Sequence, residues 1–328
     1  MKIKKLLKLF FIATSRALVC LALVPFSNSA FAQANYPNKP IRFVVGFAAG
    51  GSTDMISRIL GKRMSELLGQ PITTENKPGA DSMIASEFVA KAEPDGSTIL
   101  ITSGSHTINP AIYPNLKLDP IKDFSPVSLI VDGPQFLIVH PSVPIHSVEE
   151  LIAFAKKNPG SLNYATSAST TFLQMALFQS MAGISMTSIP YKGAAPAVAS
   201  VLANETQIAI TGIINSISQV KANKVRVLAV TSEKRFPMFP DIPTVTEKSV
   251  PDYVASVWYG MFAPAKTPAK VIATLSNTLH QVLREPDIEA QLLNLGVYIV
   301  TNTPEAFIEF LQKDLDKWAR VAKLSGTK

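Results

Sequence analysis

The residues Gly46-Phe47-Ala48-Ala49-Gly50-Gly51-Ser52-Thr53 close an apolar run and open a helical pattern. Gly46 and Gly51 have the spacing of the phosphate-binding loop GxxxxGK[ST], in which backbone N–H groups cradle a phosphate and a lysine neutralises it. Position 52 is serine, not lysine. The stretch therefore reads as an anion cradle without a fixed cation. Three other segments share its character: Ala80-Asp81-Ser82, Ser103-Gly104-Ser105, and the run Thr166-Ser167-Ala168-Ser169-Thr170-Thr171. Each is small, rich in hydroxyls and placed before a helical pattern. A helix start leaves backbone donors unpaired and carries partial positive charge, worth only ~0.3–2 kcal/mol to a nearby anion. Two or more such starts converging in a closed, dry cleft are needed to hold a carboxylate without lysine or arginine.

The other chemistries have weaker footing. The histidines are His106, His140, His146 and His280, and none stands in H-E-x-x-H or in a close pair with metal-ligand spacing, so no metal is expected. No strand is followed by G-x-G-x-x-G, and no cofactor is expected. There is no G-x-S-x-G elbow. Ser105 beside His106 supports the enzyme alternative, an exported serine hydrolase acting on a small ester or amide. Adjacent residues, however, seldom present a nucleophile and its base to one substrate atom.

The chain has 328 residues, 47% of them apolar, enough for a buried core and about two domains. Its first 32 residues read as a secretory signal peptide. They carry Lys2, Lys4, Lys5, Lys8 and Arg16 with no acid, an apolar block at 17–24, and the A-x-A site Ala30-Phe31-Ala32. Removing them takes five of 31 basic residues and none of 24 acids, so the mature net charge is about +2 rather than +7. No basic stripe interleaved with aromatics points to nucleic acid. The single cysteine, Cys20, leaves with the leader. The expected product is an exported, periplasmic, monomeric protein.

Along the mature chain, strands and helices alternate. Strands are read at 41–47, 71–75, 98–102, 136–139, 162–165, 185–189, 207–211, 225–231 and 297–300. Helices are read at 54–68, closed by Gly69, at 82–92, at 147–157 with the capping box Ser147/Glu150, at 172–182, at 267–283, at 286–295 and from Thr303-Pro304 to Leu324. Such alternation implies βαβ units, mostly parallel sheets and two α/β lobes. Ligands of such sheets sit at the carboxyl ends of strands, where the hydroxyl-rich loops fall.

These residues also carry a resemblance. The segment YPNKPIRFVVGFAAGGSTDMISRIL resembles the opening of the Bug family, the extracytoplasmic solute receptors of tripartite tricarboxylate transporters. The likeness continues, in the same order, through ENKPGADSMIASEFVAKAEPDGSTIL, IPYKGAAPAV, VRVLAVTSEKRFPMFPDIPTVTE and WYGMFAPAKTP. The resemblance implies an α/β protein of the type II periplasmic-binding-protein fold, with two Rossmann-like lobes joined by two crossover strands around a ligand cleft. The lobes are expected at 33–133 plus 256–328 and at 134–255. It further implies a small organic acid as ligand, membrane permease subunits as partners, and no catalysis. Carried over residue by residue, the first grip is Phe47 to Asp54, including Ala49, Gly50, Gly51, Ser52 and Thr53. The second is Thr166 to Thr171, with Asn76, Ala80, Asp81, Ser103, Ser105 and Tyr191 in support.

The chain departs from the family at the second grip, which is roughly G-S-x-G-x-G-S-x-x-H. Here Ala165, Ala168 and Thr170 replace glycines and Gln174 replaces the histidine. After the strand at 207–210 stands Thr211-Gly212, where the family often has an acid suited to a ligand ammonium group. Its absence argues against an amino acid. With Phe47, Phe172, Tyr191, Trp258 and Tyr259 as candidates for an aromatic wall, the expected ligand is a carboxylate with a less polar body, such as an aromatic mono- or dicarboxylate.

Overall fold

The computed structural model describes residues 36–113 and 115–324, so the leader read at 1–32 lies outside the described residues. The elements below all belong to one compact unit beginning at Pro37. Strand β1 (Ile41–Val45) and helix α1 (Ser52–Leu68) follow the hydrophobic pattern, and Gly69 ends α1 at a positive φ of 65°. Then come β2 (Ile72–Asn76), a single 3-10 turn at Ala80–Ser82, α2 (Met83–Ala90), β3 (Thr98–Ser103) and α3 (Ser105–Ile112). A ten-residue strand, β4 (Phe124–Gly133), runs almost directly into β5 (Gln135–Val139).

Helix α4 (Val148–Lys157) starts at its expected cap, with Glu150 N–H donating to Ser147 Oγ at 3.2 Å. Strand β6 (Asn163–Thr166), α5 (Ser169–Ala182), β7 (Thr187–Pro190), α6 (Ala194–Leu202), β8 (Ile208–Gly212), α7 (Ile213–Lys221) and β9 (Arg226–Val230) follow. The chain returns through β10 (Val257–Pro264), α8 (Ala269–Leu283), α9 (Pro286–Asn294), β11 (Tyr298–Ile299) and α10 (Pro304–Leu324).

Among the described residues the strands form two sheets, ordered β11-β4-β10-β3-β1-β2 and β7-β6-β8-β5-β9. The expectation of mostly parallel sheets needs correction. The pairs β1–β2, β1–β3, β6–β7 and β6–β8 are parallel, but β10 runs antiparallel to both β3 and β4, and β5 to both β8 and β9. Strands β4 and β10 and helix α7 were not expected from the sequence. The parallel core of each sheet comes from βαβ units; β4, β5 and β10 carry the chain between the sheets and pair antiparallel, and the short β11 also runs antiparallel to β4.

Each sheet has its own apolar core. Val44, Leu100, Phe262, Phe307 and Leu311 pack beneath the first, and Leu137, Ile208, Leu151 and Phe178 beneath the second. Burying such a side chain contributes ~1.5–3 kcal/mol. A smaller cluster of Ile108, Leu173, Trp318, Val321 and Ala322 joins α3, α5 and α10, and so ties the helix after β6 to elements of the first sheet. No helix among the described residues is long and apolar enough to cross a membrane.

Candidate functional site

The loops after β1, β2, β3, β6, β7 and β8, with the first residues of β5 and β10, surround a cleft of about 830 Å³. Phe47, Gly51, Ser52, Thr53, Ala80, Asp81, Ser103 and Ser105 line it from the first sheet, and Ser167, Ala168, Thr170, Thr171 and Thr211 from the second. Ala49, Gly50, Asp54, Asn76, Thr166, Ser169 and Tyr191 do not line it.

Several of these stand behind the cleft and shape it. Asp54 is buried in the first turn of α1, where it accepts from Gly50 N–H at 2.9 Å, from Asn76 Nδ2 at 2.9 Å and from Arg58 Nε at 3.0 and 3.1 Å. Asn76 Nδ2 also donates to Phe47 O at 3.0 Å. Burial pushes the Asp54 carboxyl up, but the bonds from Arg58, Gly50 and Asn76 outweigh it and hold the group below its ordinary value. The Arg58 guanidinium beside this loop is thus spent on Asp54, and the loop presents dipoles rather than a charge. No side chain caps α1. Its first N–H groups have no intrahelical partner and stand beside the Ser52 and Thr53 hydroxyls on the cleft lining. The buried Tyr259 hydroxyl meets Ser52, and burial pushes its pKa up to about 12.

Gly46 owes its identity to close approach. A Cβ there would lie 2.6 Å from the Cα of Ser82. The turn it touches is strained: Ala80, Asp81 and Ser82 all have positive φ, at 47°, 50° and 76°. Asn109 Nδ2 donating to Asp81 O at 2.9 Å and the 3.0 Å bond between the Ser82 and Thr102 hydroxyls hold it there.

The second hydroxyl-rich loop satisfies itself. Thr171 Oγ1 accepts from Ser167 N at 2.9 Å and from Ala168 N at 3.2 Å, and donates to Ala168 O at 3.0 Å. Ser169 N donates to Asp81 Oδ2 at 3.2 Å, and Ser169 Oγ donates to the same oxygen. Ser105 Oγ meets Thr170 Oγ1 at 3.3 Å. The cleft is therefore bridged by direct bonds between the turn before α2, the start of α3 and the start of α5. Gln174 lies outside the cleft and donates to Ala255 O at 2.9 Å, anchoring α5 to the segment that leads into β10.

The Ser105–His106 pair has no catalytic geometry. His106 is buried between Phe124 and Phe262, with ring centroids 4.9 and 4.5 Å away, and its Nε2 lies 2.8 Å from Pro120 O. Burial pushes its pKa down to about 4. It does not line the cleft.

Of the aromatic candidates, Phe47 and Tyr259 line the cleft. Phe172 and Tyr191 pack instead against apolar clusters, and Trp258 Nε1 donates to Asp314 Oδ2 at 2.9 Å. Sequence reasoning missed Lys192, Gln135 and Asn215, all of which line the cleft. Gln135 had a signal: it is the one polar residue in the otherwise apolar strand QFLIV, buried throughout. Lys192 follows Tyr191 in the quoted segment IPYKGAAPAV, but nothing local says that the loop turns inward. Among the described residues no group of three or more His, Cys, Asp or Glu side chains is placed to hold a metal.

A family described as "Tripartite tricarboxylate transporter family receptor" matches residues 56–326. The protein BugT of Bordetella pertussis is 32% identical over 89% of this chain and 91% of its own length. Among solved structures, Rpa4515 of R. palustris with adipate superposes with a TM-score of 0.81 at 33% identity, covering 89% of this chain and 99% of that one. MatC from Rhodopseudomonas palustris, with bound malate, superposes with a TM-score of 0.78 at 28% identity, covering 88% and 100%.

Proposed function

Since the chain belongs to the tripartite tricarboxylate transporter receptor family, we propose that it is a periplasmic solute receptor that captures a small organic carboxylate in its cleft and delivers it to the membrane permease of such a transporter. The family is one of receptors, and binding rather than catalysis is the chain's task. One observation carries the choice of ligand. The cleft is lined by uncapped helix starts, small residues and hydroxyls, while Asp54 and Arg58 neutralise each other behind it. Such a surface suits an anion held chiefly by several hydrogen-bond donors, with Lys192 the single lysine or arginine that lines the cleft among the described residues, which describes a carboxylate. The adipate and malate in the two related structures are ligands of that class.

In this reading the site comprises Phe47 and Gly51 to Thr53, the turn at Ala80 and Asp81, Ser103 and Ser105, and the facing residues at 167–171 and 211. Ala49, Gly50, Asp54, Asn76, Thr166, Ser169 and Tyr191 act through the shape of those loops. In the same reading the described residues of 33–133 and 256–328 make up one lobe and 134–255 the other, with the chain passing between them at Pro134 and at Ser256. Closing the lobes excludes water, which strengthens each fixed dipole against the bound charge. The closed form alone is the one the permease docks, so the ligand acts by shifting a population. The receptor works as a monomer.

Calorimetric titration of the mature protein with aliphatic and aromatic acids tests this, together with mass spectrometry of any solute retained through purification. A retained or tightly binding organic acid is expected. A retained nucleotide, or turnover of an ester or amide, would overturn the reading. Binding of glutamate or citrate with none of benzoate-like acids would exclude the less polar body but leave the receptor standing.

A further inference from the structure

The family's second grip is not free in this chain. Thr171 occupies the N–H groups of Ser167 and Ala168, and Asp81 occupies that of Ser169. The second sheet nonetheless offers the cleft another set of polar groups, one loop away. Gln135 opens β5 opposite Gly212, and its neighbour Phe136 pairs with Thr211. Gln135 is 6% exposed and Thr211 3% exposed, and both line the cleft. Gln135 Oε1 and Thr211 Oγ1 are buried without a hydrogen-bond partner among the described residues. Buried polar atoms are normally paired, and an unpaired one in a cleft wall calls for a group that the cleft receives.

Two more features line the same cleft. Helix α7 starts at Gly212 with no side-chain cap, so its first N–H groups are unpaired at the same end of the cleft. A Cβ on Gly212 would lie 3.1 Å from Asn215 Nδ2, which places that amide over the helix start. Lys192, after β7, is exposed on the cleft lining and has no ion-pair partner among the described residues. The set thus comprises a cation, a hydroxyl, an uncapped helix start and two amides. A side-chain amide turned by half a turn presents its NH2 in place of its oxygen, so Gln135 can donate as readily as accept. An ammonium group would meet both Lys192 and the positive end of α7. A carboxylate would satisfy them all.

We propose that Gln135, Thr211, Lys192 and the start of α7 form a second anion subsite, which takes the far carboxylate of a dicarboxylate while the loop at Gly51 to Thr53 takes the near one. The inference rests on the carboxylate-receptor reading and deepens it. A monoacid closing into the same cleft leaves Gln135 and Thr211 unpaired and Lys192 without a counter-charge. A site built to hydrogen-bond a substrate group rejects the analogue lacking it far more strongly than an apolar pocket rejects a missing methylene.

The test is calorimetric titration of the mature protein with the straight-chain diacids from succinate to suberate, their matched monoacids and their matched terminal hydroxy acids. The best diacid is expected to bind about tenfold or more tighter than its monoacid. Lys192→Met should remove most of that ratio while changing monoacid affinity by no more than about twofold, and Thr211→Val should lower diacid affinity and shrink the same ratio. Lys192 is exposed and Val matches Thr in shape, so unchanged melting temperatures will show both variants folded. Equal binding of diacid and monoacid by the wild type would sink this inference and leave the receptor reading intact. So would a ratio that both variants keep, or a hydroxy acid that binds as well as the diacid. If no acid of any kind binds, the receptor reading fails and carries this one with it.

Discussion

Replacing Gly46 by alanine probes how the floor of the cleft is built. The added methyl would sit 1.8 Å from Ser82 Oγ, 2.4 Å from its Cβ and 2.6 Å from its Cα. Non-bonded carbons rest ~3.5–4.0 Å apart, so the backbone must retreat by about 1 Å. A new rotamer for Ser82 would relieve only the clash with Oγ. The turn is not free to retreat, because Ser82 bonds Thr102, Asn109 holds Asp81 O, and the Asp81 carboxylate bonds Ser169. Overpacking costs ~1–3 kcal/mol, and losing the buried Ser82–Thr102 bond adds ~1 kcal/mol. Gly46→Ala should therefore destabilise the protein by roughly 2–4 kcal/mol, read from the urea midpoint at constant slope. The double variant Gly46→Ala/Ser82→Gly removes Oγ and Cβ but leaves the clash with the backbone at position 82, so at least half the loss should persist. A cost below ~0.5 kcal/mol, which is ordinary for a surface change, or full recovery in the double variant would refute the reasoning.

Three further outcomes follow from the same geometry. His106 has its pKa pushed from 6.5 down to about 4 by burial, so as pH falls below 6.5 the unfolded chain takes up the proton first and stability declines until about 4. Between about pH 7 and pH 5 this amounts to roughly 2 kcal/mol, and His106→Gln should flatten that part of the slope in urea unfolding. His280, also lowered by burial, adds a slope of the same sign that the variant keeps. Asp54, held below its ordinary value of 3.8, contributes stability that is full above that pH and is lost as pH falls through its lower folded value. Asp54→Ala should release Gly50 and Asn76 and weaken acid binding by about tenfold or more, since charge-assisted bonds contribute ~1.5–3 kcal/mol. Asp81→Asn should weaken the bridge to Ser169, expand the unliganded protein in small-angle scattering and lower apparent affinity by up to about tenfold, because less of the free protein is closed. Tighter binding in that variant would mean that Asp81 competes with the ligand instead of closing the cleft.

What the sequence discloses depends on whether the cause is local. Helix α1 with Gly69, helix α4 with Ser147 and Glu150, and α10 after Thr303-Pro304 are set by periodicity and by caps within a turn of each other, and all are legible. Strands β4 and β10 are not, because they contain Pro126 and Gly260, which read locally as breakers, and are fixed by pairing with each other. Helix α7 carries an apolar stripe at Ile213, Ile217 and Val220, but it is only nine residues long and starts with no side-chain cap, so no local signal marks where it begins. The site divides in the same way. That the loops at Gly51, Ser103 and Thr166 lie at the carboxyl ends of strands follows from the alternation of strands and helices. That Lys192 and Gln135 join them requires knowing which strands are neighbours.

The departures at 165–171 can be explained by the partner that the start of α5 has acquired. A helix start left open for a ligand needs glycine wherever the anion must touch backbone. Here the carboxylate at Ser169 N comes from the protein itself, at Asp81, far away in the chain but close in the fold. A tethered carboxylate outcompetes a dilute one for the same donors. Once no ligand approaches that backbone, side chains are tolerated, and each has found a use. Ala165 is buried in the core of the second sheet, and Ala168 sits in extended backbone at φ −166° that asks for no glycine. Thr170 reaches Ser105 across the cleft. The loss of glycine and the Asp81 bridge are then two sides of one change, and the subsite proposed at the uncapped α7 beside Thr211 takes the far anion contact that α5 no longer offers.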